Sequence, residues 1–343
     1  MRHFSKFLFL VLLPGITAFS CKKEVNATTP PAVDNSPGNW LKVSDVTGNV
    51  NKLTADADHL YFSTRISDLY FVKTLSPVGT VSTLVNLSPG AAIRDIALFN
   101  GQLYYAGYIP ANNGNHLFAI NLGNYVITGF DMPLQDPGNG ITSLLPMGNQ
   151  MIFSGNFDAS TAFAASPFVA ALQTSGQTTA MNGLDNAPRG LFTKNGGIFA
   201  HGKTLKDGSG LAEWNTGSWT GIAYTANPAI PDIRSMAWVN NVAYLTYQYS
   251  PNSPYRLAKA YDTYLEPIET ISIPADGYIR VKEINGEIYA YGNGLSQAGK
   301  SSNVFRKSGP DWVIDKLITE PVNDLLFFNG HLYAGTADGI YRD

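Results

Sequence analysis

Residues 93–105, IRDIALFNGQLYY, contain the pattern that decides the fold of this chain. An apolar strand runs into Asn100-Gly101, after which aliphatic and aromatic residues open a second strand. Asn-Gly readily adopts the two positive φ angles that a two-residue hairpin turn requires. The stretch therefore predicts a tight antiparallel hairpin whose side chains alternate between the two faces of a sheet.

The same block recurs to give seven copies along the chain. The residues that open the second strand of each copy are Leu60, Leu103, Met151, Ile198, Ala243, Ile288 and Leu332. Successive markers lie 43, 48, 47, 45, 45 and 44 residues apart. Each interval has room for about four short strands, which is the content of one blade of a β-propeller. The first half of the sixth copy is one residue shorter than in the others.

The two ends of the chain indicate how such a ring closes. Trp40 and Trp312 each lie ten residues before the first strand of a copy, so the segment before the first copy matches the outer strand before the last. The last copy ends after its third strand, at residues 340–342. We expect residues 40–46 to supply the missing outer strand of the last blade. The alternatives, an open solenoid or six blades with an extra hairpin, leave an exposed edge.

Over residues 40–343 the chain resembles seven-bladed β-propellers, an all-β fold with four antiparallel strands in each blade. Its last repeat, LYAGTADGIYR (332–342), resembles the blades of sensor-regulator and sialidase-type propellers. It lacks the Trp-Asp signature of WD40 blades and the paired glycines of kelch blades. Propellers include binding modules, hydrolases, lyases and scaffolds, so the resemblance implies the fold and leaves the function open.

The start of the chain predicts export. Arg2 and Lys6 precede an apolar stretch, residues 7–19, which is too short for the ~20 residues of a membrane span and fits a signal peptide over residues 1–20. The following Ala18-Phe19-Ser20-Cys21 resembles the lipobox of lipoproteins of the Gram-negative bacterial envelope. The resemblance implies that Cys21 is acylated and becomes the mature N-terminus. An ordinary secretory signal with an incidental cysteine is the alternative.

The segment after the cysteine predicts a tether. Residues 21–39 are rich in Pro, Asn, Thr and Ser and have no hydrophobic periodicity, which is typical of a flexible linker. Lys22 in the second mature position implies, by the same resemblance, transport to the outer membrane, and it leaves the leaflet open. We expect a monomer that contacts the membrane through the lipid on Cys21.

Composition and motifs exclude several kinds of site. A net charge of −3 with 14% charged residues gives no general attraction to nucleic acid. One cysteine excludes a disulfide framework and a cysteine zinc site within one chain, and the histidines lack zinc-site spacing, so we expect no metal, no cofactor and no catalytic residue. Residues 294–301 fit the phosphate-loop expression GxxxxGK[ST]. They lie between two strands of the sixth copy with no helical pattern after them, so we expect a hairpin loop and no nucleotide.

Arginines recur at one register of the repeat. The residues that follow the first residue of an inner strand include Arg94, Arg189, Arg234 and Arg280. Inner strands of a propeller begin at the mouth of the central channel, so four arginines would form a partial cationic ring suited to carboxylate, sulfate or phosphate. The alternative is that each arginine pairs with a local acid and braces adjacent blades; the candidate acids are Asp95, Asp232 and Asp324. Membership of Arg280 depends on where the gap of the sixth copy falls.

The fifth copy is rich in aromatic residues: Trp238, Tyr244, Tyr247, Tyr249, Tyr255, Tyr261 and Tyr264. Such rings suit the faces of sugars, but alternating tyrosines are also typical of half-buried strands, which is the interpretation we favour. The loop over residues 251–254 would carry any exposed rings.

These observations predict a non-catalytic, lipid-anchored envelope propeller that binds an anionic glycan or a partner protein at the mouth. The rival hypothesis is a polysaccharide lyase or glycoside hydrolase acting on an acidic polysaccharide. Its candidate base is His201, with Asp95 or Asp324 as the acids expected nearest to it, and such groups must lie within hydrogen-bonding reach of the substrate.

Overall fold

The structure of the chain is a computed structural model. It describes residues 39–108, 115–132, 140–157, 167–222, 232–261 and 265–343. These residues form seven four-stranded antiparallel sheets. The predicted signal peptide (1–20), Cys21 and all of the tether except Asn39 lie outside these residues. Within the described ranges there is no helix with the length and hydrophobicity that a membrane crossing requires.

The strands follow the repeat pattern, and each sheet is one blade. The first strand in the chain is β1 (Leu41–Lys42). Blades 1 to 3 consist of β2 (Asn49–Ala55), β3 (Leu60–Ile66), β4 (Leu69–Leu75), β5 (Val81–Asn86); β6 (Ala92–Phe99), β7 (Gln102–Tyr108), β8 (Asn115–Asn121), β9 (Ile127–Asp131); and β10 (Ile141–Met147), β11 (Gln150–Gly155), β12 (Val169–Gln173), β13 (Thr178–Ala180). Blades 4 and 5 consist of β14 (Gly190–Lys194), β15 (Gly197–Lys206), β16 (Ser209–Asn215), β17 (Ser218–Gly221); and β18 (Asp232–Val239), β19 (Val242–Gln248), β20 (Arg256–Ala260), β21 (Leu265–Ile268).

Blades 6 and 7 complete the ring. Blade 6 contains β22 (Tyr278–Ile284), β23 (Glu287–Asn293), β26 (Val304–Ser308) and β27 (Asp311–Val313), with a small hairpin of β24 (Ser296–Gln297) and β25 (Lys300–Ser301) inserted. Blade 7 contains β28 (Val322–Phe328), β29 (His331–Thr336), β30 (Gly339–Arg342) and β1.

The hairpin turns adopt the backbone conformation that their sequence requires. Asn100 and Gly101 have φ values of 49° and 69°, and the Asn-Gly turns at 285–286 and 329–330 are also left-handed at both residues. The loop over residues 294–301 forms the β24–β25 hairpin between the second and third strands of blade 6. The hairpins predicted at all these places are confirmed.

The N-terminal segment closes the last blade, as predicted. Leu41 pairs with Arg342 and Lys42 with Tyr341, so β1 is the outer strand of blade 7 beside β30. The strand is shorter than the expected 40–46, because only two residues pair before the chain turns towards blade 1. Trp40 is buried against blades 6 and 7 and anchors the start of this strand.

The core lies between neighbouring blades. Among the described residues there are seven hydrophobic clusters, one at each interface around the ring. The cluster between blades 7 and 1 joins Phe328 and Tyr333 to Val50, Leu53 and Phe62. Because the last blade packs on the first as each blade packs on the next, the sheets form a closed seven-bladed propeller.

Most inner strands carry a β-bulge close to their first residue. The pairing of first and second strands shifts register between Val50 and Lys52, and at the equivalent step in blades 2, 3, 5 and 7. Blade 6 pairs without a shift from Tyr278 to Ile284. The residue that the sixth copy lacks is therefore the bulged one.

Candidate functional site

The inner strands begin at one end of the channel, where charged side chains from several blades gather. We call this group the mouth; its members are Lys52, Arg94, Asp95, Arg189, Asp232, Arg234, Arg280, Lys282 and Asp324. Six cations and three carboxylates give it a formal charge of 6 − 3 = +3. The whole chain has a net charge of −3, so the mouth is opposite in sign to the protein that carries it.

Two of the four predicted arginines share one carboxylate. Arg189 donates from Nε and Nη2 to the two oxygens of Asp232, at 3.1 and 2.8 Å. Arg234 Nη2 lies 3.1 Å from Asp232 Oδ2. Asp232 is buried, whereas the Arg189 side chain remains 47% exposed. This arrangement joins blades 4 and 5, as the bracing interpretation expects, and part of the Arg189 guanidinium still faces solvent.

The other two arginines differ from each other in register. Arg94 is exposed and occupies the bulge of blade 2. Arg280 pairs with Tyr291, so it stands one position further along than the other arginines, and the expected common register fails for it. The cause is the missing bulge residue of blade 6. Arg280 Nη1 donates to the carbonyl of Asn323 in blade 7 at 2.9 Å.

Arg280 occupies what we call a seam position. This is the inner-strand residue that follows the bulge, or the equivalent residue in a blade without a bulge. Across the blades these residues are Lys52, Asp95, Ser143, Gly190, Ser235, Arg280 and Asp324. Four of them accept a backbone N–H from the next blade: Asp95 from Leu144 (2.8 Å), Ser143 from Leu191 (3.3 Å), Ser235 from Val281 (2.8 Å) and Asp324 from Leu53 (3.0 Å). The repeated polar residues therefore tie blades together at the channel.

The two cations at seam positions require a different arrangement, since they have no acceptor atom. Lys52 faces Asp95 of blade 2, and Arg280 faces blade 7, which carries Asp324. Each of these carboxylates accepts a hydrogen bond from the backbone N–H of the next residue in its own strand: Asp95 from Ile96 and Asp324 from Leu325. Lys52 Nζ lies 3.4 Å from Asp95 Oδ1 across the seam between blades 1 and 2.

Charge pairing shifts the pKa of two groups at these seams, Lys52 and Asp324. The Asp95 carboxylate raises the pKa of Lys52 although burial acts to lower it. Burial alone would raise the pKa of Asp324, but the Lys282 and Lys52 ammonium groups, together with the Leu53 amide, hold it below its usual value. Lys282 Nζ lies 2.8 Å from Asp324 Oδ1. Lys52 and Asp324 are therefore both charged around neutral pH.

His201 lies at the one seam whose seam residue has no side chain. A Cβ on Gly190 would lie 2.5 Å from His201 Nε2, so glycine makes room for the ring. His201 Nδ1 lies 3.1 Å from the carbonyl of Ile233 in blade 5. Burial lowers the pKa of His201 to about 4, so it is neutral, and Nδ1–H donates across the seam. The charged groups nearest to it include Asp232 and Arg189, and no contact joins it to Asp95 or Asp324 within the described chain.

The aromatic residues of blade 5 divide into two groups. Tyr244 and Tyr247 are buried, while Tyr249 and Tyr261 are 47% and 37% exposed. Tyr264 lies outside the described residues. Trp238 lines a groove of about 1050 Å³ between blades 4 and 5, at the ends of the inner strands away from the mouth. The sequence pattern indicated the aromatic residue but not the groove.

Metal ligands do not gather in the part of the chain that the structure describes: no three His, Cys, Asp or Glu side chains there could hold an ion together. The mouth carboxylates instead face lysine, arginine and backbone amides.

Comparison with known proteins supports the architecture. No protein-family model matches the chain, and no curated protein matches its sequence. Among solved structures, YCF48 bound to D1 peptide is 13% identical, with a TM-score of 0.58 over 93% of this chain and 98% of that chain. The WD40 domain of coronin from Toxoplasma gondii is 10% identical, with a TM-score of 0.53 over 91% of this chain and 86% of that one.

A third neighbour is an extracellular domain. That of a putative one-component system from B. thetaiotaomicron is 12% identical, with a TM-score of 0.57 over 90% of this chain. The present chain spans 40% of the length of that neighbour. The fold is a seven-bladed β-propeller. At these identities the likeness extends to the fold alone.

Proposed function

We propose that this propeller is a non-catalytic binding module whose mouth takes an anionic glycan, carboxylated or sulfated. The observation that carries the proposal is the +3 charge of the mouth on a chain of net −3. A surface region of one sign concentrates ligands of the other sign. The buried Nε of Arg234 has no hydrogen-bond partner among the described residues.

A binding role suits these groups better than a catalytic one. His201, the candidate base of a lyase, is buried at a seam and already contacts a backbone carbonyl. The structural neighbour YCF48 is bound to a peptide, so a propeller of this size acts as a binding module there. We also propose that acylated Cys21 holds the protein on the bacterial outer membrane. Labelling with radioactive palmitate that disappears in Cys21→Ser would support this anchor, and labelling that persists would contradict it.

The ligand test compares charged and neutral glycans of equal length. Full-length protein in detergent is titrated calorimetrically with polygalacturonate fragments and with neutral glucan fragments, at low and high salt. We expect only the uronate to bind, and more weakly at high salt, because solvent-exposed charges are screened. Arg94→Gln should weaken uronate binding about fivefold.

Lys73→Gln is the matched control, because it removes one positive charge from the third strand of blade 1, outside the mouth. It should leave uronate binding unchanged. Equal loss in both variants, or no binding of any acidic glycan, would contradict the proposal and favour an acidic protein partner. Shortened or unsaturated products in the same samples would instead identify a hydrolase or a lyase.

A further inference from the structure

The groove between blades 4 and 5 is a concave surface separate from the mouth. Its walls are the β14–β15 turn at residues 194–197, the end of β16, and the β18–β19 turn. These turns follow the ends of inner strands, so the groove opens on the face of the propeller away from the mouth. Its volume is about 1050 Å³, at the upper end of the range of small-molecule sites.

The groove exists because blade 5 departs from the repeat. The residue that opens its second strand is Ala243, where the other six copies have Leu, Ile or Met. Ala243 pairs across the strands with Ala260. The equivalent pairs in blades 1, 2 and 3 are Leu60 with Leu75, Leu103 with Ile120, and Met151 with Leu172. Two large aliphatic side chains are thus absent from the face that blade 5 turns towards blade 4.

The lining of the groove combines aromatic rings with polar groups. Trp238 is half-buried in its wall and Tyr261 lies at its edge, and Lys194 Nζ lies 4.4 Å from the centre of the Trp238 ring. The rim carries Glu213 and three amide side chains, those of Asn195, Asn215 and Asn241. These four make no side-chain hydrogen bond to any residue that the structure describes. Lys194 and Glu213 are the charged members of the described lining, so its formal charge is +1 − 1 = 0.

We propose that this groove is a binding site for a neutral saccharide. Indole faces pack against the apolar C–H faces of a sugar ring, and amide and carboxylate groups accept and donate the hydrogen bonds that sugar hydroxyls need. The zero charge of the lining favours a neutral sugar over the acidic glycan proposed for the mouth. The site does not depend on the mouth having a ligand.

The test uses tryptophan fluorescence of the full-length protein in detergent, since Trp238, one of its five tryptophans, lines the groove. The probes are neutral hexasaccharides of glucose, mannose, xylose and N-acetylglucosamine. We expect at least one to change the emission saturably, with an affinity that is the same at low and high salt. If none of them binds, the proposal is wrong.

Three variants locate the site. Ala243→Leu restores the aliphatic residue of the other blades and should weaken saccharide binding at least about tenfold by filling the groove. Glu213→Ala lies on the rim, away from the core, and should weaken binding several-fold, so it remains informative if Ala243→Leu folds poorly. Arg94→Gln, the mouth variant, should bind the saccharide like the wild type.

The outcomes separate the two proposals. Saccharide binding that survives both groove variants contradicts the groove proposal, and so does binding that Arg94→Gln or high salt removes. Loss of saccharide binding in the groove variants with unchanged uronate binding supports a groove site distinct from the mouth. If uronate never binds but the neutral saccharide does, the groove proposal stands and the mouth proposal fails.

Discussion

The mouth and the groove are both lined by polar side chains, yet those side chains have different partners. At the mouth, each of the three carboxylates contacts at least one cation: Asp95, Asp232 and Asp324. Asp95 and Asp324 also accept backbone N–H groups from the next blade. In the groove, the Glu213 carboxylate and the side-chain amides of the rim make no hydrogen bond to any described residue. Polar residues that repeat in register thus hold neighbouring blades together, whereas polar side chains without partners in the described chain occur where one blade departs from the repeat.

Removing a mouth carboxylate should have the largest effect on stability. Asp324→Ala leaves the Lys282 charge uncompensated, removes one of the two carboxylates near Lys52, and leaves the Leu53 amide without its acceptor. Breaking a buried pair in this way costs about 3–5 kcal/mol. Equilibrium unfolding in urea measures the loss. The groove acid provides the contrast, because Glu213→Ala should change the free energy of unfolding by less than about 0.5 kcal/mol. Equal effects of the two substitutions would remove the distinction between the regions.

The histidine at the seam between blades 4 and 5 predicts a smaller, pH-dependent effect. Burial lowers the pKa of His201 to about 4 in the folded protein, against about 6.5 in the unfolded chain. Between these values the unfolded state binds a proton that the folded state does not, so stability rises with pH through this window. The wild type should be about 2 kcal/mol less stable at pH 5 than at pH 8 through this group.

His201→Asn retains a donor near the Nδ1 position and does not titrate. Urea unfolding of this variant at the two pH values should lack the part of the pH dependence that His201 causes. An identical pH dependence in wild type and variant would show that His201 is exposed or already paired with an acid. The Asp324 carboxyl does not interfere, because its pKa lies below its usual value of 3.8 and its contribution is lost only at lower pH.

A substitution at Asp232 tests how much of the mouth charge is available to a ligand. Asp232→Asn raises the formal charge of the mouth from +3 to +4 and releases Arg189 and Arg234 from their shared carboxylate. Affinity for a uronate oligosaccharide should rise on the order of fivefold at low salt. Asp315→Asn, which removes one of the two acids that hold Arg306 on the outer strands of blade 6, should leave the affinity unchanged. A weaker affinity in Asp232→Asn would mean that the two arginines bind ligand only when Asp232 positions them.

The sequence was sufficient to predict the fold because each blade repeats one local solution. Asn-Gly turns, alternating strands and the matched Trp40 and Trp312 are local signals, and closure by β1 follows from counting strands. The register of Arg280 could not be read in the same way. The sequence shows that the sixth copy is one residue shorter, but not which residue is missing. The pairing of Arg280 with Tyr291 shows that the missing residue is the bulged one.

The contacts of the mouth and the groove were less accessible from the sequence. Asp232 was a candidate partner for the arginines, but its bidentate contact with Arg189 spans two blades 43 residues apart in the chain. The groove draws its walls from turns of two blades that share no motif. One signal was present: Ala243 is the single small residue among seven markers, and a missing aliphatic side chain at a repeated core position predicts a gap.

The smallest expected effect concerns the cation of the groove. Lys194→Met keeps the aliphatic stem that covers Trp238 and removes the ammonium 4.4 Å from the ring centre. A cation–π contact at such a partly exposed site contributes about 0.5–1 kcal/mol, so urea unfolding should show a loss of less than about 1 kcal/mol. Lys52→Met is the counterpart at the mouth, where it deprives both Asp95 and Asp324 of a positive neighbour and should cost more. If the groove lysine proved the costlier of the two, Lys194 would have a structural partner and the rim would be less open to ligand than its geometry indicates.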